Sequence, residues 1–314
     1  MTSISQLATP YPNELKFKEA QMPSLPALIS APDAIALSRD PEQKIVFIDA
    51  TFLLPQMGRD AEAEYLEAHI QDAIRFNLDE QSDAASPFPH TTPSPDIFEM
   101  NMRKLGLNQN DHILIYDNSP FLSGARAWFM FRHYGHSNVS ILDGGLAAWR
   151  AAGGAIASQH EQGSETRPMG DFKIGPPVAG AIFKSLTDVQ NMIGDTDMQM
   201  IDARGPARFR GEEPEPRAGM AAGHIPGSVN LPVTALLDAD TGRMRPMSDI
   251  RALFDTIQID LNRPIVTTCG SGVTACGLAF ALHLCGTDQV SVYDGSWSQW
   301  GHESQDRNAC PIAN

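Results

Sequence analysis

Cys269 stands where the sequence would make a nucleophile most reactive. The segment Ile265–Thr268 before it is a short apolar run typical of a buried strand, and Val273 opens a longer helical pattern. Gly270 and Gly272 allow the intervening loop to curl so that backbone N–H groups face the sulfur. The start of the following helix adds its partial positive charge at the same point. The sequence therefore predicts a reactive thiolate that can carry a persulfide.

Two other reactions use a cysteine between a strand and a helix, and the sequence argues against both. A cysteine-dependent phosphatase needs an arginine six residues after the cysteine, where this chain has Ala275. A dithiol redox site needs a second cysteine three residues on, where it has Gly272. A small buried structural cysteine is the remaining alternative. The glycine-x-glycine loop directly after Cys269 favours the reactive role.

Residues 202–217, which read DARGPARFRGEEPEPR, are the most charge-dense segment and follow a predicted strand. The chain has 38 acidic and 23 basic residues, a net charge of −15, so an anionic substrate would need a local group of arginines. An arginine fork matches a carboxylate through two hydrogen bonds. The alternative is a solvated loop in which Glu212, Glu213 and Glu215 neutralise the arginines, and charge statistics alone favour it.

The sequence repeats itself at a shift of about 152 residues. The matched segments are IVFIDAT (45–51) with MQMIDAR (198–204), HILIYDNSPFLSGARAW (112–128) with PIVTTCGSGVTACGLAF (264–280), and NVSILDGGLAAW (138–149) with QVSVYDGSWSQW (289–300). We therefore predict two homologous domains, over residues 1–155 and 178–314, joined by a linker over 156–177. Asp117 stands where the second domain has Cys269. An aspartate cannot carry a persulfide, so the first domain is predicted to be catalytically silent and to form one wall of a shared cleft.

Within each repeat, short apolar runs alternate with longer helical patterns, which predicts an α/β fold. The strands are almost continuously apolar, as parallel strands are when helices cover both faces of their sheet. In such sheets ligands bind at the carboxyl ends of the strands, and Cys269 follows one of those ends.

Composition excludes several classes of function. The acidic charge argues against nucleic acid or an anionic membrane as a partner, and no apolar run approaches the ~20 residues of a membrane span. Four cysteines without metal-ligand spacing predict neither a disulfide framework nor a zinc site, and they favour the cytoplasm. No cofactor motif is evident. The predicted cleft needs no second subunit, so we expect a monomer.

The remaining cysteines and two aspartate turns are interpreted as structural. Cys276 and Cys285 are predicted to pack in the core, whereas Cys310 lies in a polar tail and is expected to be exposed. Asp143 and Asp294 open matched strand-to-helix turns, and neither is given a catalytic role.

The chain resembles the tandem-domain sulfurtransferases of the rhodanese superfamily over nearly its whole length. Its CGSGVT loop (269–274) is similar to that of 3-mercaptopyruvate sulfurtransferases, whereas the related thiosulfate sulfurtransferases carry a basic loop of the type CRKGVT. This resemblance implies two rhodanese-like domains and a persulfide on Cys269. It also implies substrate contacts from Gly270, Gly272, Val273 and Thr274. The neutral loop leaves the charge of the donor to be held elsewhere.

The same resemblance implies roles for charged residues outside the loop. The pattern ARF followed by PEPR implies that Arg208 and Arg217 bind the carboxylate of the donor, which leaves Arg204 and Arg210 as structural. The family is thought to use a serine–histidine–aspartate relay across the domain interface, with Ser271 as its serine. The pattern GRDA followed by a histidine maps the other two members onto Asp60 and His69, although Gln71 and Asp72 replace the usual proline and glycine after the histidine.

The function that the resemblance implies is transfer of sulfur from 3-mercaptopyruvate, through Cys269, to a thiol such as thioredoxin or a small thiol, or to cyanide, with release of pyruvate. Two alternatives stay open at this point. One is thiosulfate sulfurtransferase activity on the same fold. The other is a non-catalytic sulfur carrier or scaffold, in which Arg208 and Arg217 would serve no purpose.

Overall fold

The computed structural model describes residues 25–158, 167–178, 180–195, 197 and 199–314. The strands in this part of the chain are β1 (Leu28–Ile29), β2 (Ile45–Asp49), β3 (His69–Ile70), β4 (Ile74–Arg75), β5 (His112–Tyr116), β6 (Val139–Leu142), β7 (Ile156–Ala157), β8 (Ile182–Lys184), β9 (Met200–Asp202), β10 (Ser228–Asn230), β11 (Ile265–Thr268) and β12 (Val290–Tyr293). The α-helices are α1 (Ala31–Ser38), α2 (Ala61–Glu67), α3 (Pro95–Lys104), α4 (Gly124–His133), α5 (Gly145–Ala151), α6 (Leu186–Gln190), α7 (Pro206–Phe209), α8 (Met247–Thr256), α9 (Val273–Leu284) and α10 (Ser296–Trp300).

Two five-stranded sheets organise these elements, one in each half of the chain. The first has the order β1-β6-β5-β2-β4 and the second the order β10-β9-β11-β12-β8, and every strand pair within them is parallel. The repeat therefore corresponds to two α/β domains, and the predicted fold class is confirmed. In each sheet the strand that precedes Asp117 or Cys269 is the central one, so the following loop begins at the carboxyl end of the middle strand.

Helices cover both faces of the first sheet, as alternate residues of β5 show. Ile113 and Ile115 belong to a core cluster that includes Phe131 of α4, whereas Leu114 belongs to a second cluster with Trp149 of α5. Successive side chains of a strand point to opposite faces, so two apolar layers sandwich the sheet.

The two domains share one hydrophobic core along α4 and α9. A single cluster of buried side chains extends across both domains, and Trp128 of α4 packs edge-on against Phe280 of α9 with ring centroids 4.9 Å apart. This contact explains why α9 is apolar on nearly all sides: one side covers its own sheet and the other packs against the first domain. The catalytic loop before α9 is thereby held against the first domain.

The predicted linker is partly built into the first domain. Its first residues form β7, which pairs antiparallel with β3, and Phe172 is buried against Phe98. Residues 159–166 of the linker and residues 1–24 lie outside the described residues. Of the helices in the described part of the chain, none combines the length and apolar character that crossing a membrane requires.

Candidate active site

Hydrogen bonds to the first turn of α10 hold the loop after β11. The Cys269 N–H donates to Ser296 Oγ at 3.2 Å, and the Cys269 carbonyl accepts from the Trp297 N–H at 2.9 Å. The Gly270 carbonyl accepts from both the N–H and the hydroxyl of Ser298, at 2.7 and 2.6 Å. With its carbonyls held on this side, the loop presents its other side to the domain interface.

Glycine is required at position 272 by conformation and by space. Its φ is +77°, in the left-handed region that favours glycine, and it immediately precedes α9. A Cβ there would lie 2.7 Å from the Asp294 carbonyl oxygen and 3.0 Å from Arg126 Nη1. The close approach of these two groups fixes the path of the loop between Cys269 and the helix.

A cavity of about 340 Å³ lies between the domains in front of Cys269. The second domain contributes the CGSGVT loop residues Cys269, Gly270, Ser271, Val273 and Thr274, together with Arg208 and Arg217. The first domain contributes Phe52, Leu54, Pro55, Gln56 and Phe121. The predicted substrate-binding residues other than Gly272 therefore line one cavity with the cysteine, and a mainly apolar wall from the first domain forms its other side.

Arg208 lies over the catalytic loop and is oriented by Glu215. Its Nε donates to Glu215 Oε1 at 3.3 Å, and its Nη2 donates to Glu215 Oε2. Its Nη2 is also 3.3 Å from the place where a Cβ on Gly270 would be. A side chain at position 270 would therefore displace the guanidinium by a few tenths of an ångström, so Arg208 lies directly against this position of the loop.

Arg217 places a second cation at the same cavity. Partial desolvation lowers the pKa of Arg217 from its ordinary value; the charge of Arg208 adds to this, while the sulfur of Cys269 opposes it. The guanidinium still carries its charge at neutral pH, because the ordinary pKa of arginine is above 12. Two cations that line the same cavity favour the binding of an anion there.

Arg204 and Arg210 are engaged in local ion pairs. Arg204 is buried and pairs with both Asp202 and Glu215 at 2.7 Å, and Arg210 pairs with Glu212 at 2.7 Å on the surface. Glu215 thus joins Arg204 to Arg208, so the buried arginine anchors the carboxylate that orients the cavity arginine.

Ser271 forms a hydrogen-bonded chain with two residues of the first domain. Its Oγ is 2.8 Å from His90 Nδ1, and His90 Nε2 is 3.1 Å from Asp79 Oδ1. A charged carboxylate can only accept, so Nε2 carries the hydrogen and Nδ1 accepts from the Ser271 hydroxyl. Burial lowers the pKa of His90 from its ordinary value of 6.5 although Asp79 opposes the shift, and the hydrogen bond from His90 lowers the pKa of Asp79. At neutral pH the imidazole is therefore neutral and available as a base.

The relay expected from the sequence pattern was wrong in its histidine and aspartate. In the structure, Ser271 contacts His90 and not His69. His69 lies in β3; its Nδ1 is 2.7 Å from the Tyr65 carbonyl and its ring stacks on Tyr65 at 4.3 Å. Asp60 is the N-cap of α2 and accepts from two backbone N–H groups, at 2.9 and 3.1 Å. Neither is among the described residues that line the cavity. Both are used by the local structure of the first domain.

One sequence signal pointed toward the histidine that was missed. His90 lies in residues 76–94, which connect β4 to α3 without a strand or helix, and long connections of that kind are often functional. His90 has a φ of +60°, an uncommon conformation for a residue other than glycine. The length of the connection was readable in the sequence, whereas the conformation and the partner were not.

The expectation for Cys310 was wrong. Cys310 is fully buried, and Gln190 Nε2 lies 3.4 Å from its sulfur. The C-terminal tail turns back so that Ala313 bridges to His224, which places Cys310 against the core of the second domain. Cys276 and Cys285 are buried, as predicted.

Comparison with known proteins places both halves of the chain in one family. The family described as Rhodanese-like domain matches residues 30–152 and 185–303. The chain is 40% identical over 278 residues to the 3-mercaptopyruvate sulfurtransferase of Homo sapiens, covering 87% of this chain and 91% of the relative. It is 39% identical over 263 residues to the protein of the same name in Escherichia coli K12, covering 83% and 90%. It is also 35% identical over 259 residues to the thiosulfate sulfurtransferase of Gallus gallus, covering 82% and 86%.

Solved structures agree with this assignment. The crystal structure of SseA from Escherichia coli, described as a 3-mercaptopyruvate sulfotransferase with the rhodanese fold, matches with a TM-score of 0.75 at 36% identity, covering 87% of this chain and 99% of that one. The Tum1 protein of Saccharomyces cerevisiae matches with a TM-score of 0.80 at 28% identity, covering 88% and 95%. The two domains are thus arranged as they are in these proteins.

Proposed function

This chain belongs to the family of tandem rhodanese-like sulfurtransferases, and from that premise we propose that it transfers the sulfur of 3-mercaptopyruvate to a thiol or cyanide acceptor through a persulfide on Cys269. The observation that carries the proposal is the shared cavity. It brings together a nucleophile, two cations for a carboxylate and a proton relay, and each of these answers one requirement of the reaction.

Arg208 and Arg217 would bind the carboxylate of the donor. Charge-assisted hydrogen bonds from guanidinium groups are short, directional and about twice as strong as neutral ones. Because Glu215 already fixes the orientation of Arg208, little side-chain entropy is lost when the donor binds. The carboxylate then sets the distance from the donor sulfur to Cys269.

The transfer step breaks the carbon–sulfur bond of the donor. The Cys269 thiolate attacks the thiol sulfur, a sulfur–sulfur bond forms, and the electron pair of the broken bond becomes the enolate of pyruvate. The thiol proton of the donor ends on the methyl carbon, so the products are pyruvate and a Cys269 persulfide anion with no net uptake of protons. The loop N–H groups and the N-terminus of α9 stabilise that anion.

The Ser271–His90–Asp79 chain is suited to move this proton. Neutral His90 accepts a proton through the Ser271 hydroxyl as the donor thiol is attacked, and Asp79 stabilises the imidazolium that forms. The same path returns the proton to the enolate carbon. A serine hydroxyl can serve in both directions because it is a donor and an acceptor.

The second half-reaction removes the outer sulfur. A thiolate, from thioredoxin or from a small thiol, or a cyanide ion attacks the persulfide and restores the Cys269 thiolate. Two half-reactions through a covalent enzyme predict ping-pong kinetics. We also propose that the chain acts as a monomer in the cytoplasm, where its four free cysteines would stay reduced.

Mass spectrometry of the intact protein tests the proposal. Brief exposure to 3-mercaptopyruvate should add one sulfur atom, which a thiol then removes, and Cys269→Ser should add none. A parallel sample with thiosulfate separates the two donor classes. Sulfur taken from thiosulfate alone would make the chain a thiosulfate sulfurtransferase with a neutral loop. Sulfur taken from neither donor would leave a non-catalytic carrier or scaffold.

A further inference from the structure

A buried ion pair connects the two domains directly behind the relay. Arg126, on α4 of the silent domain, has a side chain that is only 1% exposed, and its Nη2 lies 2.8 Å from Asp294 Oδ1 in the catalytic domain. The same Nη2 donates to the carbonyl oxygen of His90. Arg126 therefore holds the backbone of the relay histidine as well as the carboxylate of the opposite domain.

Asp294 holds the same segment at a second point. Its Oδ2 accepts from both the N–H and the hydroxyl of Thr92, each at 2.9 Å. His90 and Thr92, the two neighbours of Thr91, are thus both anchored by the Arg126–Asp294 pair. A left-handed conformation such as that of His90 persists only where the surroundings impose it, and these contacts are part of those surroundings.

The ion pair also contacts the other side of the relay. Arg126 Nη1 lies 3.4 Å from the carbonyl oxygen of Gly272, and the backbone of Asp294 closes on the same glycine. Gly272 directly follows Ser271. The Arg126–Asp294 pair consequently contacts both segments of the chain that must be aligned for the hydrogen bond between Ser271 and His90.

We propose that Arg126 and Asp294 are positioning residues through which the silent domain aligns His90 with Ser271. The inference rests on the proposed function, because it assigns the pair to the proton relay of that reaction. It gives Asp294 more than the turn-forming role that the sequence suggested, and it gives the first domain a task beyond forming one wall of the cavity.

The repeat supplies a matched control on the opposite side of the interface. Asp143, the counterpart of Asp294, accepts the N–H of Met244 from the other domain at 2.8 Å. Both aspartates thus make a carboxylate-to-amide bond across the interface. The position that matches Arg126 in the second domain is Leu278, so the pair with arginine has no counterpart there.

A double-mutant cycle on the first turnover distinguishes positioning from general support of the fold. We would measure pyruvate formation by rapid quench in the wild type, Ser271→Ala, Asp294→Asn and the double variant. A small displacement of a reacting group lowers the rate by up to about a hundredfold, so we expect Asp294→Asn to slow this step at least about tenfold. If it acts through the relay, it should cause no further loss when Ser271 is already absent.

Two further variants keep the test decisive. Asp143→Asn should leave the first turnover within about twofold of the wild type, a change of less than 0.5 kcal/mol. Thr92→Val, which removes only one donor to Asp294, covers the case in which Asp294→Asn does not fold and should give a smaller loss of the same kind. Multiplicative losses in the cycle, an unchanged rate in Asp294→Asn, or an equal loss in Asp143→Asn would each overturn the proposal. A wild type that forms no pyruvate would instead overturn the proposed function, and this proposal with it.

Discussion

The loops that follow the central strands of the two domains differ in one side chain, Asp117 or Cys269, and in what surrounds it. In the first domain Asp117 Oδ1 accepts from the N–H and the hydroxyl of Ser119, at 2.9 and 2.5 Å, and Oδ2 accepts from the Gly124 N–H at 3.0 Å. Burial raises the pKa of Asp117 while these donors oppose the shift. The carboxylate therefore occupies the anion-binding position of its own loop.

The second domain has a thiol at the matched position and borders a cavity of about 340 Å³, whereas Asp117 borders a separate cavity of about 210 Å³. Cys269 has no carboxylate with which to fill the loop, so the donors there remain for an anion that comes from outside or forms on the sulfur. The surroundings differ as well, because Arg208 and Arg217 stand only on this side. The same strand–loop–helix unit is therefore self-occupied in the first domain, where the Asp117 carboxylate accepts the donors of its own loop, and open to a ligand in the second.

The largest effect is expected when Cys269 is replaced by aspartate, the residue at the matched position of the first domain. Cys269→Asp should abolish pyruvate formation from 3-mercaptopyruvate, because a carboxylate cannot form a persulfide and would take the N–H groups of the loop. Pyruvate release and intact mass are the measurements. The reverse variant, Asp117→Cys in the same background, should not restore activity, since the first loop lacks the arginines. Activity in that double variant would contradict the comparison.

The next largest effect separates the two candidate histidines. Loss of a general acid–base group lowers a rate by about 10²–10⁴-fold, so we expect His90→Ala to slow the first turnover by about a hundredfold. Because burial keeps the pKa of His90 below 6.5, the wild-type rate should fall only as the pH drops below that value and the imidazole takes up a proton. His90→Ala should lose this acid limb. His69→Ala is the matched control and should keep both the rate and the limb; an equal loss there would restore the sequence-based relay.

A smaller effect is expected from the cations of the open loop. Arg217→Gln should lower kcat/KM for 3-mercaptopyruvate by about 10- to 100-fold, mainly through KM, since a hydrogen bond to a charged group contributes about 1.5–3 kcal/mol. Arg210→Gln, in the same segment but paired with Glu212 on the surface, should leave kcat/KM within about twofold. Equal effects of the two variants would show that the loss reflects net charge and not a specific contact.

The smallest effect on activity is expected in the self-occupied loop. Asp117→Asn replaces one acceptor oxygen with an amide, which leaves a buried donor unpaired at a cost of about 1–3 kcal/mol. Urea unfolding should show this loss, while the rate of sulfur transfer stays within about twofold of the wild type. A strong loss of transfer at unchanged stability would mean that the silent loop takes part in the reaction.

The sequence determined those features that depend on local pattern. Alternating apolar runs predicted the parallel α/β domains, and the repeat predicted their number. The strand–Cys–Gly-x-Gly–helix order identified Cys269 before any geometry was known. The fold prediction is confirmed because strand and helix periodicity record which face of an element is buried. A glycine loop ahead of a helix constrains its own backbone, which is why Cys269 could be singled out as a candidate.

Tertiary structure alone decided which residues complete the site. Ser271 and His90 are 181 positions apart and meet only because α4 packs on α9, so no local pattern records their contact. The same holds for Cys310, whose polar neighbours predicted exposure although the tail folds back and buries it. Periodicity reports the environment of an element, whereas a contact across a domain interface depends on how two complete domains dock. That docking brings Ser271 within hydrogen-bond distance of His90.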